Sequence, residues 1–204
     1  MGRCIDSKQK LKFYLNADMI MNRGVQLTAI EHIKSLIKRD YIMIYLRALR
    51  KVEYYKGKSK FMYLLYRIQF SKHGIKLGFS IEPNVFEYGL VIPHHGTIVV
   101  GGGNAIGSYC VLHTCVCITN GQKNIGNGLY CSTGVKILND ITIGNNVSIG
   151  ANAVITKPIE DDVLVIGIPG SVVRKASPWY IHDGGEFQRR FALCEKLKAE
   201  LIGA

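Results

Sequence analysis

The chain has 204 residues, of which 48% are hydrophobic, so it can form one folded domain with a helical appendage and is not a disordered chain. No apolar run reaches the roughly 20 residues that cross a bilayer, and the first residues, MGRCIDSKQK, lack the apolar stretch of a secretory signal, so we expect a cytoplasmic protein. The net charge of +11 is uneven, because residues 1–78 hold 17 Lys and Arg against 5 Asp and Glu, whereas residues 79–204 hold 9 against 10.

The basic first part leaves the partner open. A positive surface attracts nucleic acid, acidic lipid, charged polysaccharide or cofactor phosphates, and a merely solvated helical surface explains the charge equally well. The motifs with which proteins read bases are absent from the sequence, so we expect no nucleic-acid partner.

Residues 1–78 predict an α-helical domain. Its first helix has an apolar stripe at helical spacing, an N-cap at Asp6 or Ser7 and a stop at Gly24. Gly is a typical stop because it readily adopts the left-handed conformation that ends many helices.

Two further helical stretches complete this domain. Thr28 stands at capping-box spacing from Glu31 and opens a long amphipathic stretch with a break near Asp40. Ser59 is the expected N-cap of the next helix, FMYLLYRIQF, which should end by Gly74. We expect the repeated apolar and tyrosine side chains of these helices in the core. The apolar stripe of the long stretch runs through Ile30, Ile33, Ile37, Leu46 and Leu49.

After Gly78, apolar residues recur every six residues. The interval holds over two runs, and one extra residue within TNGQKN shifts the frame between them. The fifth position of most hexads is also apolar or small. The ten hexad residues are Val100, Ile106, Leu112, Ile118, Ile125, Cys131, Ile137, Ile143, Ile149 and Ile155.

A period of six is typical of a parallel β-helix and cannot lie on one face of an α-helix. Six residues turn an α-helix by about 600°, so successive apolar residues would lie about 120° apart. One short strand with its turn uses six residues, and three such units close a flat-sided coil whose inward residues stack about 4.8 Å apart. We therefore predict a parallel β-helix over residues 79–175.

Residues 176–204 predict a C-terminal helical extension. Apolar residues recur there at intervals of three or four, as on the buried face of a helix. We expect this helix to cover the last open coil of the β-helix, since an uncovered strand edge promotes aggregation. The apolar residues are Phe187, Phe191, Cys194, Leu197 and Leu201.

The hexads and the segment SIEPNVFEYGLVIPHHGTIVVGGGNAIG resemble the hexapeptide-repeat acyltransferases, and most closely the serine acetyltransferase branch with its short relatives from surface-polysaccharide loci. The resemblance implies a left-handed coil and a homotrimer with active sites between neighbouring prisms. It also implies that acetyl-CoA is the co-substrate and that the acetyl group passes to a hydroxyl. A helical domain before the coil is typical of the same branch.

The resemblance implies that His95, in PHHGTIVV, is the catalytic base. An acceptor hydroxyl must lose its proton as it attacks a thioester carbonyl, and imidazole titrates near working pH. Serine acetyltransferases carry aspartates at the positions of Ser80 and His94, which orient the histidine and seat the amino acid. Without these carboxylates, the groups that would hold the ammonium of serine are missing, which favours a sugar acceptor slightly.

Three other residues are candidate contacts of the acceptor: His94, His113 and Glu82. His113 occupies an outward hexad position, which is either a binding surface or plain exposed surface. Glu82 or Glu87 could orient His95 in place of the missing aspartate.

The resemblance also implies a CoA site at the end of the coil. IGANAVITKPI resembles the stretch whose small residues and lysine line the pantetheine and phosphate part of CoA, and GIPGSVVRK resembles the terminal segment near the adenine. Small side chains let the pantetheine arm lie against the coil, and lysine supplies a charge for phosphate. The candidate CoA contacts are Ala151, Thr156, Lys157, Gly167, Pro169, Arg174 and Lys175.

The sequence therefore predicts an acetyl-CoA-dependent O-acetyltransferase acting on a sugar, a polysaccharide precursor or L-serine. The alternatives are an L-serine-specific enzyme of cysteine biosynthesis, a non-catalytic interaction platform, and a metal-dependent hexapeptide enzyme such as a γ-carbonic anhydrase. No metal is expected, because the histidines lack the required spacing and the six cysteines lack CxxC pairs. Cys115 and Cys117 are expected to be buried, reduced thiols.

Overall fold

The structure is a computed structural model that describes residues 5–181 and 185–203. Four helices precede the β-strands, and each has a side-chain N-cap: Ser7, Thr28, Asp40 and Ser59 accept hydrogen bonds from backbone N–H groups three residues later. The predicted caps and the predicted break near Asp40 are thus confirmed. The helices are α1 (Lys8–Arg23), α2 (Ala29–Ile37), α3 (Tyr41–Tyr55) and α4 (Lys60–Leu77).

The last of these helices runs one turn beyond its predicted end. Gly78, at φ 79°, ends α4, whereas Gly74 lies inside the helix. A Cβ at Gly74 would stand 2.9 Å from the carbonyl oxygen of Phe79 and 3.3 Å from the ring of Tyr45. Gly74 is therefore required by the close approach of α4 to the first strand, and it does not stop the helix.

Short parallel strands build a coil of three sheets. Sheet 1 contains β1, β2, β5, β8 and β11, sheet 2 contains β4, β7, β10, β12 and β13, and sheet 3 contains β3, β6 and β9, so that the chain visits one sheet after another. The strands are β1 (Phe79–Ile81), β2 (Ile98–Val100), β3 (Ala105–Ile106), β4 (Val111–Leu112), β5 (Val116–Ile118), β6 (Asn124–Ile125), β7 (Tyr130–Cys131), β8 (Lys136–Ile137), β9 (Thr142–Ile143), β10 (Ser148–Ile149), β11 (Val154–Ile155), β12 (Val163–Ile166) and β13 (Ser171–Lys175).

The six-residue period marks the inside of this coil. Each of the ten hexad residues from Val100 to Ile155 is at most 1% exposed. The apolar fifth positions, such as Leu129 and Val135, are also buried. The predicted parallel β-helix is therefore confirmed, with the hexad residues stacked from coil to coil in one core.

The frame shift at TNGQKN is accommodated by a buried lysine. Lys123 is 1% exposed, and its Nζ donates hydrogen bonds to the carbonyl oxygens of Thr119 (3.0 Å) and Asn120 (3.3 Å). The ammonium group thus satisfies two carbonyls of the longer turn, which the regular ladder leaves without partners.

The helical domain is attached to the first coil by a buried charge cluster. Arg50, fully buried, donates to Asp18 (2.8 Å) and Glu53 (3.0 Å) and also to the carbonyl oxygens of Phe86 (2.9 Å) and Glu87 (2.6 Å). Because these carbonyls belong to the first coil, the cluster fixes the strand-free segment that leads to the histidines.

Not all of the helical stripe lies in the core. Ile30, Ile33 and Ile37 of α2 are 65%, 55% and 75% exposed, and Leu64 and Leu65 of α4 are exposed as well. The expectation that these side chains pack in the core is wrong for the single chain. The helical spacing of apolar residues predicts that one face of a helix is buried, but it does not predict which surface buries that face.

The C-terminal helix α5 (Glu186–Ile202) forms as predicted but packs elsewhere. Its buried residues Cys194 and Leu197 share an apolar cluster with Phe13 and Ile20 of α1. The expectation that it covers the last coil is therefore wrong. The strand β12 at that end is instead paired with the antiparallel strand β13.

The expectation of two buried thiols is also wrong, since Cys115 is exposed and Cys117 is partly exposed. Cys115 occupies a corner with φ 61°, where the side chain leaves the coil.

Within the described residues, the structure contains no helix with the length and apolarity that a membrane span requires.

Candidate active site

The predicted catalytic segment lies at one corner of the β-helix. Val91 pairs with Val111 in sheet 2, and Ile98 pairs with Val116 in sheet 1. Six residues join Val91 to Ile98, whereas four join their partners, so the segment has two residues more than the next coil needs. His94 lies on this longer turn. We call the stacked turns 93–97, 113–115, 132–134 and 150–152 the histidine corner.

Side chains of α1 form hydrogen bonds with the backbone just before the longer turn. The Asn22 side chain donates to the carbonyl oxygen of Leu90 (2.8 Å) and accepts from the N–H of Ile92 (3.1 Å), and Asp18 accepts from the N–H of Leu90 (3.0 Å). These contacts leave the turn little freedom just before His94 and His95, which are both exposed.

His94 faces a second histidine on the next coil. The rings of His94 and His113 are 6.2 Å apart, and Nε2 of His113 lies 2.8 Å from the hydroxyl oxygen of Tyr130, one coil further. Partial burial, together with the nearby charge of His94, lowers the pKa of His113 below its usual 6.5. At neutral pH His113 is therefore uncharged, and one ring nitrogen can act as an acceptor.

His95 points to another surface, where it lines a cavity of about 470 Å³. The other walls of this cavity come from the helical domain, at the start of α3 and the end of α4. Since loops and domain junctions are common ligand sites, this cavity is a candidate for the acceptor. Its remaining lining residues are Arg39, Asp40, Tyr41, Ile42, Lys76 and Leu77.

Small and hydroxyl side chains continue the histidine corner toward the end of the coil. The hydroxyl oxygens of Thr114 and Thr133 are 2.6 Å apart, and the N–H of Asn152 donates to the carbonyl oxygen of Thr133 (2.9 Å). Ala151 is exposed on the same corner. At about 4.8 Å per coil, Ala151 lies roughly 10 Å from the level of His113.

The other predicted CoA contacts lie on different sides of the coil. Gly167 stays near the histidine corner, since its carbonyl oxygen accepts from the N–H of Val154 (3.1 Å), and the exposed Pro169 follows it after a cis peptide bond. Thr156 and Lys157, however, follow the opposite end of β11.

Arg174 and Lys175 are exposed on β13, where they pair with Leu164 and Val163. The predicted CoA residues of a single chain are therefore divided among several surfaces of the last coils, and they do not line one pocket together.

The acidic candidates do not reach His95 within one chain. The N–H of Glu82 donates to the carbonyl oxygen of Val100, at the far end of β2 from His95, and Glu82 lines a separate cavity with Ser80 and Arg67. Glu87 accepts a hydrogen bond from the hydroxyl of Tyr14. The structure thus brings His94 to His113 but separates Glu82 from both.

Sequence reasoning missed four residues around the histidines: Tyr130, Arg39, Tyr41 and Lys76. Tyr130 could have been found by writing the hexads as a stack of coils, because it precedes its hexad residue Cys131 by one position, as Val111 precedes Leu112 on the adjacent coil. The other three come from the helical domain, at the turn before α3, the start of α3 and the end of α4, and no local signal connects them to His95.

The hexad core and the three parallel sheets define a parallel β-helix of the hexapeptide-repeat class, and the left-handed coil agrees with the fold of its relatives. Within the described residues, no three His, Cys, Asp or Glu side chains are arranged to hold a metal ion.

Comparisons with known proteins agree with this class. The chain is 29% identical over 189 residues to a serine acetyltransferase of Buchnera aphidicola from Acyrthosiphon pisum, covering 80% of this chain and 65% of the relative. It is 32% identical over 107 residues to a serine acetyltransferase of Synechococcus elongatus, covering 48% of this chain and 44% of the relative. The chain thus spans less than two thirds of the length of either relative. No protein-family model matches the chain.

Solved structures give the same result for the fold. A serine acetyltransferase in complex with CoA superimposes with a TM-score of 0.60 at 20% identity, over 80% of this chain and 67% of the other. A soybean serine acetyltransferase complexed with serine gives a TM-score of 0.63 at 20% identity, over 80% and 70%. The predicted resemblance to the serine acetyltransferase branch of the hexapeptide-repeat acetyltransferases is confirmed.

Proposed function

We propose that this protein is an acetyl-CoA-dependent O-acetyltransferase. The acceptor is a hydroxyl of L-serine, a sugar or a polysaccharide precursor. The observation that carries the proposal is the histidine corner: two adjacent exposed histidines stand at the start of a row of small side chains that leads to Ala151. Such a row suits a narrow pantetheine arm whose thioester would end at the turn that carries His94 and His95.

The chemistry needs one base and no further cofactor besides acetyl-CoA. The imidazole takes the proton of the acceptor hydroxyl while the oxygen attacks the thioester carbonyl. The resulting tetrahedral intermediate collapses, the C–S bond breaks, and the imidazolium returns its proton to the CoA thiolate. The acetyl group is thereby transferred to the acceptor oxygen as an ester, and free CoA is released.

Two neighbouring histidines compete for the role of base. His95 is the base that the resemblance implies, and it lines the cavity of about 470 Å³. His94 is supported by a different observation, since its ring centre lies 6.2 Å from that of His113 on the histidine corner. We keep His95 as the first assignment and His94 as the second.

The acceptor is the least defined part of the proposal. The curated relatives are serine acetyltransferases, and one solved neighbour holds serine, which supports L-serine. Ser80 and His94 stand where that branch carries aspartates, and Glu82 lies away from His95, which supports an acceptor without an ammonium group. His94, His113 and Glu82 remain proposed acceptor contacts.

The test is free CoA release by purified protein with acetyl-CoA and either L-serine or a panel of sugars. His95→Ala should reduce the rate at least about 100-fold, as expected for loss of a general base, while CoA binding measured by calorimetry changes little. His94→Ala is measured in parallel, and His32→Ala on α2 is the matched control.

A large loss only in His94→Ala would move the base to His94. Full activity in both variants would overturn the histidine mechanism. No binding of CoA at millimolar concentration would favour the alternative of a non-catalytic interaction platform.

A further inference from the structure

The cavity beside His95 joins the two parts of the chain. It is lined by Lys76 and Leu77 at the end of α4, by residues 39–42 at the start of α3, and by His95 of the β-helix. Its volume of about 470 Å³ lies within the range of about 300–1,000 Å³ that is usual for small-molecule sites. The space is therefore sufficient for a sugar-sized ligand.

One acidic side chain in the cavity is already neutralised. Asp40 accepts two hydrogen bonds from Arg23, at 2.7 and 2.8 Å, and it also caps α3 through the N–H of Met43. Burial by itself would raise the pKa of Asp40, but the hydrogen bonds from Arg23 hold it below its usual value. Asp40 thus has no free charge to offer to a ligand.

The two cations of the cavity have no such partner. Within residues 5–181 and 185–203, neither Arg39 nor Lys76 forms a salt bridge. Lys76 Nζ lies 3.7 Å from the ring centre of Tyr41, and the nearby ammonium group of Lys76 lowers the pKa of the Tyr41 hydroxyl. The charges of Arg39 and Lys72 act in the same direction. The cavity is therefore electropositive.

We propose that this cavity binds an anionic group of the acceptor, with Lys76 and Arg39 holding a carboxylate or phosphate while His95 faces the hydroxyl. The inference rests on the proposed O-acetyltransferase function and gives its substrate class: a hydroxyl-bearing acceptor with a negative charge. It also gives a role to part of the positive charge of residues 1–78.

The test compares pairs of acceptors that differ in one charged group. Sodium glucuronate and glucose 6-phosphate are each compared with glucose, and L-serine is compared with serinamide, by free CoA release and by calorimetric binding. We expect the matching anion to have a kcat/KM about tenfold above that of its neutral counterpart, mostly through KM. The glucuronate, phosphate and serine arms distinguish the sources of the charge.

Two variants locate the effect. Lys76→Gln removes one cation, and Arg39→Asn removes the other while keeping a residue that tolerates the left-handed conformation at φ 53°. Each should raise KM or Kd for the anion about fivefold to tenfold relative to that for glucose. Lys60→Gln, an exposed cation at the opposite end of α4, is the matched control and should change neither.

The outcomes separate this inference from the proposed function. Transfer to neutral and charged acceptors with equal kcat/KM, or equal effects of Lys76→Gln and Lys60→Gln, would overturn the anionic subsite while the acetyltransferase proposal stands. Binding of an anion that is lost in Lys76→Gln, without any acetyl transfer, would support the subsite while the proposed function fails.

Discussion

At the scale of single residues, the described side chains fall into structural and chemical groups by burial and partners. Arg50, Asp18 and Glu53 are all at most 2% exposed, and they hold backbone groups of the first coil. His94 and His95 are exposed a few residues further along the chain. The buried cluster is thus a support for the site and has no access to a substrate.

Replacing Arg50 with Met should destabilise the protein strongly. The variant leaves two buried carboxylates without a cation, and breaking a buried ion pair in this way costs about 3–5 kcal/mol. The free energy of unfolding from urea denaturation measures the loss. Arg189→Met, an exposed arginine on α5, is the control. A loss below about 1 kcal/mol for Arg50→Met would contradict the supporting role.

The pH dependence of stability should report His113. Burial lowers its folded pKa below the unfolded value of 6.5, so the neutral form is favoured by folding. This contribution is complete above pH 6.5 and is lost as the pH falls through the folded pKa. Between pH 7.5 and 5.5, the unfolding free energy of the wild type should therefore fall more than that of His113→Gln. An equal fall in both proteins would show that His113 is not shielded.

At the scale of elements, the β-helix derives its stability from the stacked hexad residues. Each strand contains only two to five residues, too few to be stable alone, so the coils depend on the inward ladder. A packing defect in one coil destabilises both neighbouring coils, because each inward residue packs against those above and below it.

Ile137→Ala tests this ladder. Ile137 is fully buried in β8, between Ile118 of β5 and Ile155 of β11, and the cavity left by the change should cost about 2–5 kcal/mol. Thr142→Ala, at an exposed position of the adjacent sheet, should cost less than about 0.5 kcal/mol. Urea denaturation of both variants makes the comparison. Similar losses would mean that the hexad residues do not carry the stability.

At the scale of the whole molecule, two observations indicate that one chain is incomplete. The predicted CoA contacts Ala151, Lys157 and Arg174 lie on different surfaces of the last coils, and apolar side chains of α2 and α4 face outward. A homotrimer, which the resemblance implies, would bring the surfaces of neighbouring prisms together. We therefore keep the trimer and a shared CoA site as a proposal.

The expected mass in solution is about 68 kDa, three times the 22.7 kDa of the chain. Light scattering after gel filtration measures it, and CoA binding should weaken when the protein is diluted enough to dissociate. Unchanged CoA affinity in a 22.7 kDa species would contradict a CoA site shared between chains.

The residues themselves predict much of this fold for a simple physical reason. Inward positions of a β-helix must be apolar at every coil, so they appear in the sequence as a repeat such as Ile125 to Ile155. Helix starts need caps for unpaired N–H groups, so they appear as capping residues such as Ser59. The resemblance at PHHGTIVV likewise named the segment of the candidate site. Patterns over a few residues are enough for these predictions.

What the sequence alone determined is therefore the coil and the helix starts, while the histidine segment stays a prediction from the resemblance. Only the tertiary structure decided that α5 packs on α1, that His94 meets His113, and that Lys76 approaches the surface of His95. These contacts join residues far apart in the chain, and they depend on how rigid elements are oriented. Local periodicity does not predict that orientation, because many docking angles satisfy the same pattern of apolar and polar residues.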